Sequence, residues 1–204
     1  MRQISSNELG DFAAIHEADV ELVNIARDNS QPCESLSRRL VENRQIPPGL
    51  RWQQSAEDHA AAADALPPGL DAQTRSVLVN EICAANAVVS ELMGCKRVSV
   101  RLETLSAPMC PRFHVDHVHC RMLITLTGTG TEWIQNEDVD WNAFSDLSSD
   151  SPPLQSGAEI MQFETNSWSL LKGGAWGEKF DGVVHRSPHR GGDRLLLAID
   201  PVLK

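Results

Sequence analysis

The sequence contains no tyrosine, few other aromatic residues and a shortage of positive charge. Aromatic residues make up 5% of the chain, and 18 lysines and arginines against 28 aspartates and glutamates give a formal net charge of −10. Binding of nucleic acid without sequence preference depends on a basic surface, so a nucleic-acid partner is not expected. The remaining composition, 41% hydrophobic and 23% charged, is that of an ordinary globular domain.

Several catalytic signatures are also missing. The sequence has neither the serine, histidine and aspartate order of a hydrolase triad nor a nucleotide-binding fingerprint. Gly128-Thr129-Gly130 precedes a strand-like stretch, whereas a phosphate-binding glycine loop leads into a helix. The absence of these motifs therefore argues against a hydrolase with a catalytic triad and against a nucleotide-binding enzyme.

Long apolar segments and a disulfide pattern are absent as well. No apolar run approaches the roughly 20 residues that span a bilayer. The first residues, MRQISSNELGDF, lack the apolar centre of a signal peptide. The five cysteines are an odd number without the spacing of a small disulfide scaffold. These features predict a cytoplasmic protein without a membrane partner, whose thiols are free or bind metal.

The first part of the chain has mainly helical patterns. Loosely helical apolar spacing predicts a helix over residues 9–27, and shorter helices are predicted over 36–41 and 56–66, each followed by a Pro-Pro-Gly break. The clearest helix covers residues 72–93, where apolar residues recur in alternating steps of four and three. We therefore predict a helical N-terminal layer over residues 1–95.

From residue 96 the hydrophobic period changes to two. In KRVSVRLETL, apolar and polar residues alternate as in a half-buried strand. Further strand-like stretches, separated by turns such as Gly191-Gly192, cover residues 119–127, 132–134, 159–163, 168–171, 182–185 and 195–199. Helices followed by many short strands predict an α+β fold, in which residues 96–204 form a double-sheet structure such as a jelly roll. We expect the two parts to form one compact unit.

The densest group of reactive residues is CPRFHVDHVHC, residues 110–120. In a strand, His114 and Asp116 project to the same face. A facial iron(II) site needs two histidines and one carboxylate on one face, so the second histidine must come from elsewhere in the chain. His185 and His189 are the candidates downstream.

An arginine follows these downstream histidines. The segment VVHRSPHRGGDRLLLAID predicts a hairpin with His185 on one arm and Arg194 at the start of the next. An arginine in this position can bind the carboxylate of an anionic co-substrate while the other end of that ligand chelates the metal.

This arrangement resembles the iron(II)- and 2-oxoglutarate-dependent dioxygenases, especially the prolyl-hydroxylase-like branch. That superfamily carries His-x-Asp, then a distant histidine, then an arginine or lysine, and here His114, Asp116, His185 and Arg194 match. The resemblance covers about residues 96–204 and implies a double-stranded β-helix (jelly roll) with the N-terminal helices packed against one sheet. It implies that the first three residues bind Fe(II), and that Arg194 has the catalytic and cofactor-binding role of anchoring 2-oxoglutarate. The implied reaction is hydroxylation of an unknown small molecule or peptide.

Four other residues leave a zinc site open: Cys110, His117, His119 and Cys120. Thiolates and imidazoles are typical zinc ligands. On a strand, Cys120 would share the face of the two triad residues and both additional histidines would lie on the other face, so one metal could not bind them all without a bulge. The blocks CPRFHVDHVHCRMLITLTGTGTEWI and LLKGGAWGEKFDGVVHRSP also resemble a bacterial domain family of unknown function, some members of which are linked to zinc homeostasis genes. The alternative is therefore a zinc-binding protein of metal homeostasis, with the same fold and no oxygenase activity.

Other features could act on a substrate. The polar segment SDLSSDSPPLQSG, residues 145–157, is predicted to be a loop that could act as a lid. Arg112, Arg121 and Arg186 flank the proposed ligands and could either bind an anionic substrate or balance nearby acidic charge. A third interpretation is a cupin-like scaffold that has lost catalysis and serves as an interaction module.

Overall fold

The computed structural model describes residues 1–27, 33–177, 181–189 and 192–203, and these residues contain ten strands. The strands are β1 (Arg2–Ser6), β2 (Val20–Ile25), β3 (Leu50–Ser55), β4 (Arg97–Leu105), β5 (Cys120–Thr127), β6 (Glu132–Ile134), β7 (Met161–Gln162), β8 (Trp168–Lys172), β9 (Val184–Arg186) and β10 (Arg194–Pro201). The same residues form the helices α1 (Cys33–Glu42), α2 (His59–Ala65), α3 (Ala72–Met93) and α4 (Trp141–Ser145), and 3-10 helices at Leu9–His16 and Asn136–Asp138.

Two sheets are built from these strands. The large sheet has seven strands in the order β1-β2-β8-β5-β10-β4-β3, and the small sheet has the order β7-β6-β9. The pair β1 and β2 is parallel, and all other pairs are antiparallel. An isolated bridge between His114 and His185 attaches the segment around His114 to β9. The protein is therefore a mixed α/β structure with a large antiparallel sheet.

The large sheet separates two apolar layers. Along β10, Leu195 and Leu197 lie in the layer that is shared with α1 and α3, and Leu196 and Ala198 lie in the layer that also contains Trp133 of the small sheet. This alternation follows from the pleat of a strand, in which successive side chains point to opposite faces. The second layer, between the two sheets, is the one that borders the candidate site.

The helix predicted over residues 9–27 is wrong. Residues 9–16 form a 3-10 helix, and Val20–Ile25 form β2, which lies between β1 and β8. Five of the six β2 residues are buried, so both faces of this strand are covered. Such a strand has a continuous apolar run instead of an alternation, and its period alone does not distinguish it from a helix.

The predicted N-terminal layer is therefore only partly helical. Besides β2, the strands β1 and β3 lie within residues 1–95, at the two edges of the large sheet. Their sequences, RQISS and LRWQQS, are mostly polar because edge strands are partly exposed, and they carry little hydrophobic signal. The first part of the chain thus supplies strands to the same sheet as the second part.

The prediction for α3 is confirmed over its whole length. The Asp71 carboxylate accepts a hydrogen bond from the Thr74 amide at 2.9 Å at the N-terminus, and Gly94 ends the helix with a φ of 59°. The strands predicted after residue 96 are also present, although β7 is limited to Met161–Gln162. The hairpin predicted from His185 to Arg194 is wrong, because β9 pairs with β6 in the small sheet and β10 pairs with β4 and β5 in the large sheet. Gly191 of the predicted Gly-Gly turn lies outside the described residues.

Helix α3 corrects the expectation that no segment approaches the length of a membrane span. Within the described residues it is the one helix that is long and apolar enough to cross a bilayer, by length and composition. In the fold, however, its side chains Leu78, Ile82 and Val89 are fully buried in the layer shared with the large sheet. Its apolar residues thus build the core.

We expect Ile82→Ala to lower the free energy of unfolding by about 2–5 kcal/mol, because it removes buried methyl groups and leaves a cavity between α3 and the sheet. Urea unfolding followed by circular dichroism measures this change. Glu91→Ala, at an exposed position of the same helix, is the control and should change the value by less than about 0.5 kcal/mol. Equal, small effects of the two substitutions would contradict the central position of α3.

Candidate metal site

Three potential metal ligands converge beside the layer between the sheets: His114, Asp116 and His185. One ligand atom of each residue lies within 4.8 Å of the other two. His185 Nε2 is 3.1 Å from Asp116 Oδ2, and His114 Nε2 is 3.6 Å from Asp116 Oδ1. Two atoms that bind one ion at right angles, each about 2.1 Å from it, are about 3 Å apart. The spacing is therefore close to that of a shared ion.

Backbone pairing brings the two histidines together. The His114 amide donates to the His185 carbonyl at 3.0 Å, and the His185 amide donates to the His114 carbonyl at 2.9 Å. Their imidazole centroids are 4.6 Å apart. Because His185 belongs to β9, the small sheet determines where His114 lies.

Each imidazole is oriented by its other nitrogen. Nδ1 of His114 lies 3.0 Å from the Arg112 carbonyl oxygen, and Nδ1 of His185 lies 2.9 Å from the Val183 carbonyl oxygen. A carbonyl oxygen can only accept, so Nδ1 is the protonated nitrogen and Nε2 keeps a lone pair when the ring is neutral. Metal-binding histidines commonly show this arrangement, because it fixes both the tautomer and the direction of the ring.

The surroundings keep Asp116 ionised. Burial opposes its ionisation, but the contacts of its carboxylate with His114 and His185 and the positive charge of Arg121 outweigh burial and hold the pKa of Asp116 far below its usual value. Burial also opposes protonation of His114, yet its contacts with Asp116 and with the Arg112 carbonyl raise the pKa of His114. Asp116 is therefore anionic at physiological pH.

Arg121 contacts the same carboxylate from β5. Its Nη1 donates to Asp116 Oδ2 at 2.6 Å, and its Nε and Nη2 donate to the two carboxylate oxygens of Asp200 at 2.7 and 2.6 Å. Burial would lower the pKa of Arg121, but the two carboxylates outweigh burial and raise it. Of the two roles open for this arginine in the sequence, these contacts favour the balance of acidic charge.

A glycine pair holds the loop that carries Asp116. The amides of Gly173 and Gly174 donate to the carbonyls of His119 and Asp116, both at 2.9 Å. A Cβ atom on Gly173 would lie 2.1 Å from the Val118 carbonyl oxygen, so the close approach of the two backbones requires glycine here. The sequence marks this pair as a turn, but it contains no signal for the contact with the ligand loop.

Arg194 is a buried cation with an unused donor. It begins β10, is 4% exposed, and donates from Nη2 to the Ser187 hydroxyl at 2.8 Å. Its Nη1 is buried and has no hydrogen-bond partner within the described part of the chain. Burial is the main reason that the pKa of Arg194 falls to about 10, so the group stays charged at neutral pH. A buried charge without a partner is costly, and an anion in this position would remove that cost.

A cavity of about 100 Å³ joins Arg194 to the three potential ligands. All four side chains border it, together with Arg121. Apolar side chains such as Leu123 and Leu196 complete the wall and limit the access of water. The cavity thus combines potential metal ligands with a cation that has no anionic partner in the part of the chain that the structure describes.

Three of the four additional ligand candidates lie away from this cavity. Residues 115–119 do not form a strand, so the strand alternation assumed for them does not apply. Cys120 faces the helix-side layer and is 0% exposed, which corrects its expected position on the face of His114. Burial raises the pKa of its thiol. His119 stacks on Trp176 with a centroid distance of 4.4 Å, and His117 is exposed.

The fourth candidate, Cys110, borders the cavity without joining the ligand group. It lines the same space as the triad, but the group of ligand atoms within 4.8 Å contains His114, Asp116 and His185 alone among the described residues. His189, the other downstream histidine, lines a different cavity of about 290 Å³. The structure therefore brings together three of the predicted metal ligands and the predicted arginine.

The loop over residues 145–157 borders that second cavity. Arg112 donates to the carbonyls of Asp146 and Leu147 and so ties the loop to the segment before His114. Phe113 and Arg186, the neighbours of the two histidines, also line this cavity, and strand alternation places them on the face opposite His114 and His185. The loop is thus in contact with the reverse side of the candidate metal site.

Two solved structures with a similar fold are those of enzymes that carry the names dioxygenase and prolyl hydroxylase. The dioxygenase for auxin oxidation 1 from Arabidopsis thaliana, in its complex with 2-oxoglutarate, matches with a TM-score of 0.57 and 11% identity over 100% of this chain and 93% of that chain. A Pseudomonas putida prolyl-4-hydroxylase matches with a TM-score of 0.51 and 10% identity over 96% and 99%. At these identities the likeness establishes the fold: a mixed α/β structure similar to that of the 2-oxoglutarate oxygenases.

The chain itself belongs to the family described as protein of unknown function (DUF1826), whose profile matches residues 6–200. No match is found among curated proteins. The resemblance of the two sequence blocks to a family of unknown function is therefore confirmed. Because the family carries no assigned activity, the activity has to be inferred from the site.

We expect Gly173→Ala to lower the free energy of unfolding by about 1–3 kcal/mol, because the added methyl group collides with the Val118 carbonyl and displaces the ligand loop. Thermal unfolding measures the change. Gly177→Ala is the matched control, since a Cβ atom there meets no atom within 4 Å. A Gly173 variant as stable as the Gly177 variant would contradict the tight contact.

Proposed function

We propose that this protein is an Fe(II)- and 2-oxoglutarate-dependent oxygenase that hydroxylates a small molecule or peptide. His114, Asp116 and His185 would bind the iron, and Arg194 would bind the carboxylate of 2-oxoglutarate remote from the metal. The observation that carries this proposal is the buried Nη1 of Arg194, which has no partner among the described residues and belongs to a side chain that borders the cavity of the three potential ligands. A plain metal-storage site has no need for such a cation.

The donor set fits iron(II). Two imidazole nitrogens and one carboxylate on one side of an ion, with the other side open, are the ligands of non-haem iron oxygenases. With 2-oxoglutarate and dioxygen bound, the iron would supply the oxidising chemistry, in which 2-oxoglutarate loses carbon dioxide as the substrate gains a hydroxyl group. The protein contributes the position of the reactants and the exclusion of water.

The residues around the site each have a defined role in this proposal. The Arg112 and Val183 carbonyls hold the imidazole Nδ1–H groups, so that Nε2 is available for the metal. Ser187 accepts from Nη2 of Arg194 and leaves Nη1 for the co-substrate. Leu123 and Leu196 border the cavity and keep that ion pair out of bulk water, which strengthens it.

The strand connections support a double-stranded β-helix as the core. Strand β4, the His114 segment and β5 to β10 divide between the large sheet and the small sheet, and the His114 segment, β9, β6 and β7 are neighbours in the small one. Eight segments in two facing sheets are the architecture of a jelly roll. In this arrangement both histidines lie on adjacent segments of the small sheet and Arg194 lies on the large sheet opposite them.

The zinc alternative uses the same three ligands without 2-oxoglutarate. Cys110 is the one additional thiol that borders the cavity among the described residues, so it is the candidate fourth ligand. This alternative leaves the buried Nη1 of Arg194 unexplained, and for that reason we favour the oxygenase. The cytoplasmic location and the lack of a nucleic-acid partner stay predictions from composition.

We expect His114→Ala and His185→Ala each to weaken Fe(II) binding by more than the roughly 10–100-fold typical of outer-shell changes, because each removes a direct ligand. Anaerobic titration of the metal measures the affinity, and His117→Ala, at an exposed position, is the control. Retention of Fe(II) by either alanine variant would exclude the proposed ligand set. If the purified protein instead holds zinc, binds no 2-oxoglutarate and loses zinc affinity on Cys110→Ser, the zinc alternative is correct.

We expect Arg194→Gln to raise the Kd of 2-oxoglutarate by at least about 30-fold, because truncation of a buried charge pair costs about 2 kcal/mol or more. The visible charge-transfer band of the Fe(II)–2-oxoglutarate chelate reports the binding, and Fe(II) affinity itself should be unchanged. Arg97→Gln, at an exposed position of β4, is the control. Equal 2-oxoglutarate affinities in the two variants would argue against the proposed anchor.

A further inference from the structure

The two oxygens of the Asp116 carboxylate have different surroundings. Oδ2 accepts from Arg121 Nη1 at 2.6 Å and lies 3.1 Å from His185 Nε2. Oδ1 faces His114 Nε2 at 3.6 Å and has no arginine among the described residues within hydrogen-bond distance. Because residues 115–119 form no strand, the direction of this carboxylate depends on side-chain contacts.

Arg121 is itself held rigidly. Its Nε and Nη2 form a bidentate pair with Asp200, and the two residues lie on the neighbouring antiparallel strands β5 and β10. Its side chain is 15% exposed. A bidentate pair fixes the plane of a guanidinium group, so the remaining Nη1 points in a defined direction.

The charges of Asp116, Arg121 and Asp200 also bear on metal binding. Arg121 carries one positive charge and contacts the carboxylates of Asp116 and Asp200, so the three groups together keep one negative charge for a metal. An arginine without Asp200 would withdraw more of that charge from Asp116.

We propose that Arg121, braced by Asp200, is a positioning residue that occupies Oδ2 of Asp116 and limits this ligand to one coordinating oxygen. The proposal rests on metal binding by His114, Asp116 and His185, and it does not depend on 2-oxoglutarate. A facial site works only while the positions opposite the protein ligands stay open. A second carboxylate oxygen would fill one of these positions, and Arg121 prevents this.

Mn(II) bound to the protein tests the proposal, because water relaxation by this ion counts the water molecules in the open positions. With one oxygen from Asp116, about three positions hold water. In Arg121→Met the carboxylate is free to bind through both oxygens, and the relaxivity per bound ion should fall by about a third. Arg121→Lys should recover part of the loss, and Asp200→Asn should give an intermediate value, because it leaves Arg121 in place without its brace.

The matched control is Arg27→Met, which removes another partly buried arginine from a carboxylate, that of Glu81, away from the cavity. It should lower the melting temperature and leave the relaxivity of bound Mn(II) unchanged. If the relaxivity falls only because the protein is less stable, it should fall in Arg27→Met as well. Equal losses in Arg27→Met and Arg121→Met would therefore overturn the proposal. If Arg121→Met does not fold, Asp200→Asn supplies the decisive comparison with the wild type.

The outcomes separate this inference from the proposed function. Wild-type relaxivity in the Arg121 and Asp200 variants overturns the positioning role, while the metal site stands. If the wild type binds no Mn(II) at the triad, both proposals fail. If 2-oxoglutarate displaces no water from bound Mn(II) but the Arg121 variants lose water as expected, the oxygenase function fails and the positioning role is supported.

Discussion

The backbone pair between His114 and His185 is the constraint on which the candidate site depends. Two amide–carbonyl hydrogen bonds, of 3.0 and 2.9 Å, join a segment without regular structure to β9. They bring two imidazole groups from distant parts of the chain together, and the Asp116 carboxylate lies within 3.6 Å of one and 3.1 Å of the other. These two hydrogen bonds attach the loop that follows β4, with its histidine and aspartate, to the small sheet.

The two faces of the large sheet differ in chemistry near the site. Its helix-side face is apolar, with Leu195 and Leu197 of β10 packed against α1 and α3. Its other face carries Arg194 and Asp200 on the same strand, beside Arg121 of β5. The pleat of the strands thus supports the core and directs three charged groups to the layer where the potential ligands lie.

Much of this structure could be predicted from local patterns. The period of α3, the alternation in β4 and the His-x-Asp pair are visible in short stretches of sequence, because each depends on neighbouring residues. Strand β2 was predicted as a helix, since burial on both faces removed the alternation that identifies a strand. The predicted face of Cys120 was also wrong, because bends at residues 117–119 change the direction of the chain before β5 begins.

The sequence by itself determined the types of group available for a metal site, the helical core element and the position of an arginine at the start of β10. Only the tertiary structure decided which of the clustered groups meet. It separated His117, His119 and Cys120 from the triad, and it joined Arg121 and Asp200 to Asp116. The physical reason is that contacts between distant strands depend on register and on burial, whereas a sequence motif records only the spacing along one segment.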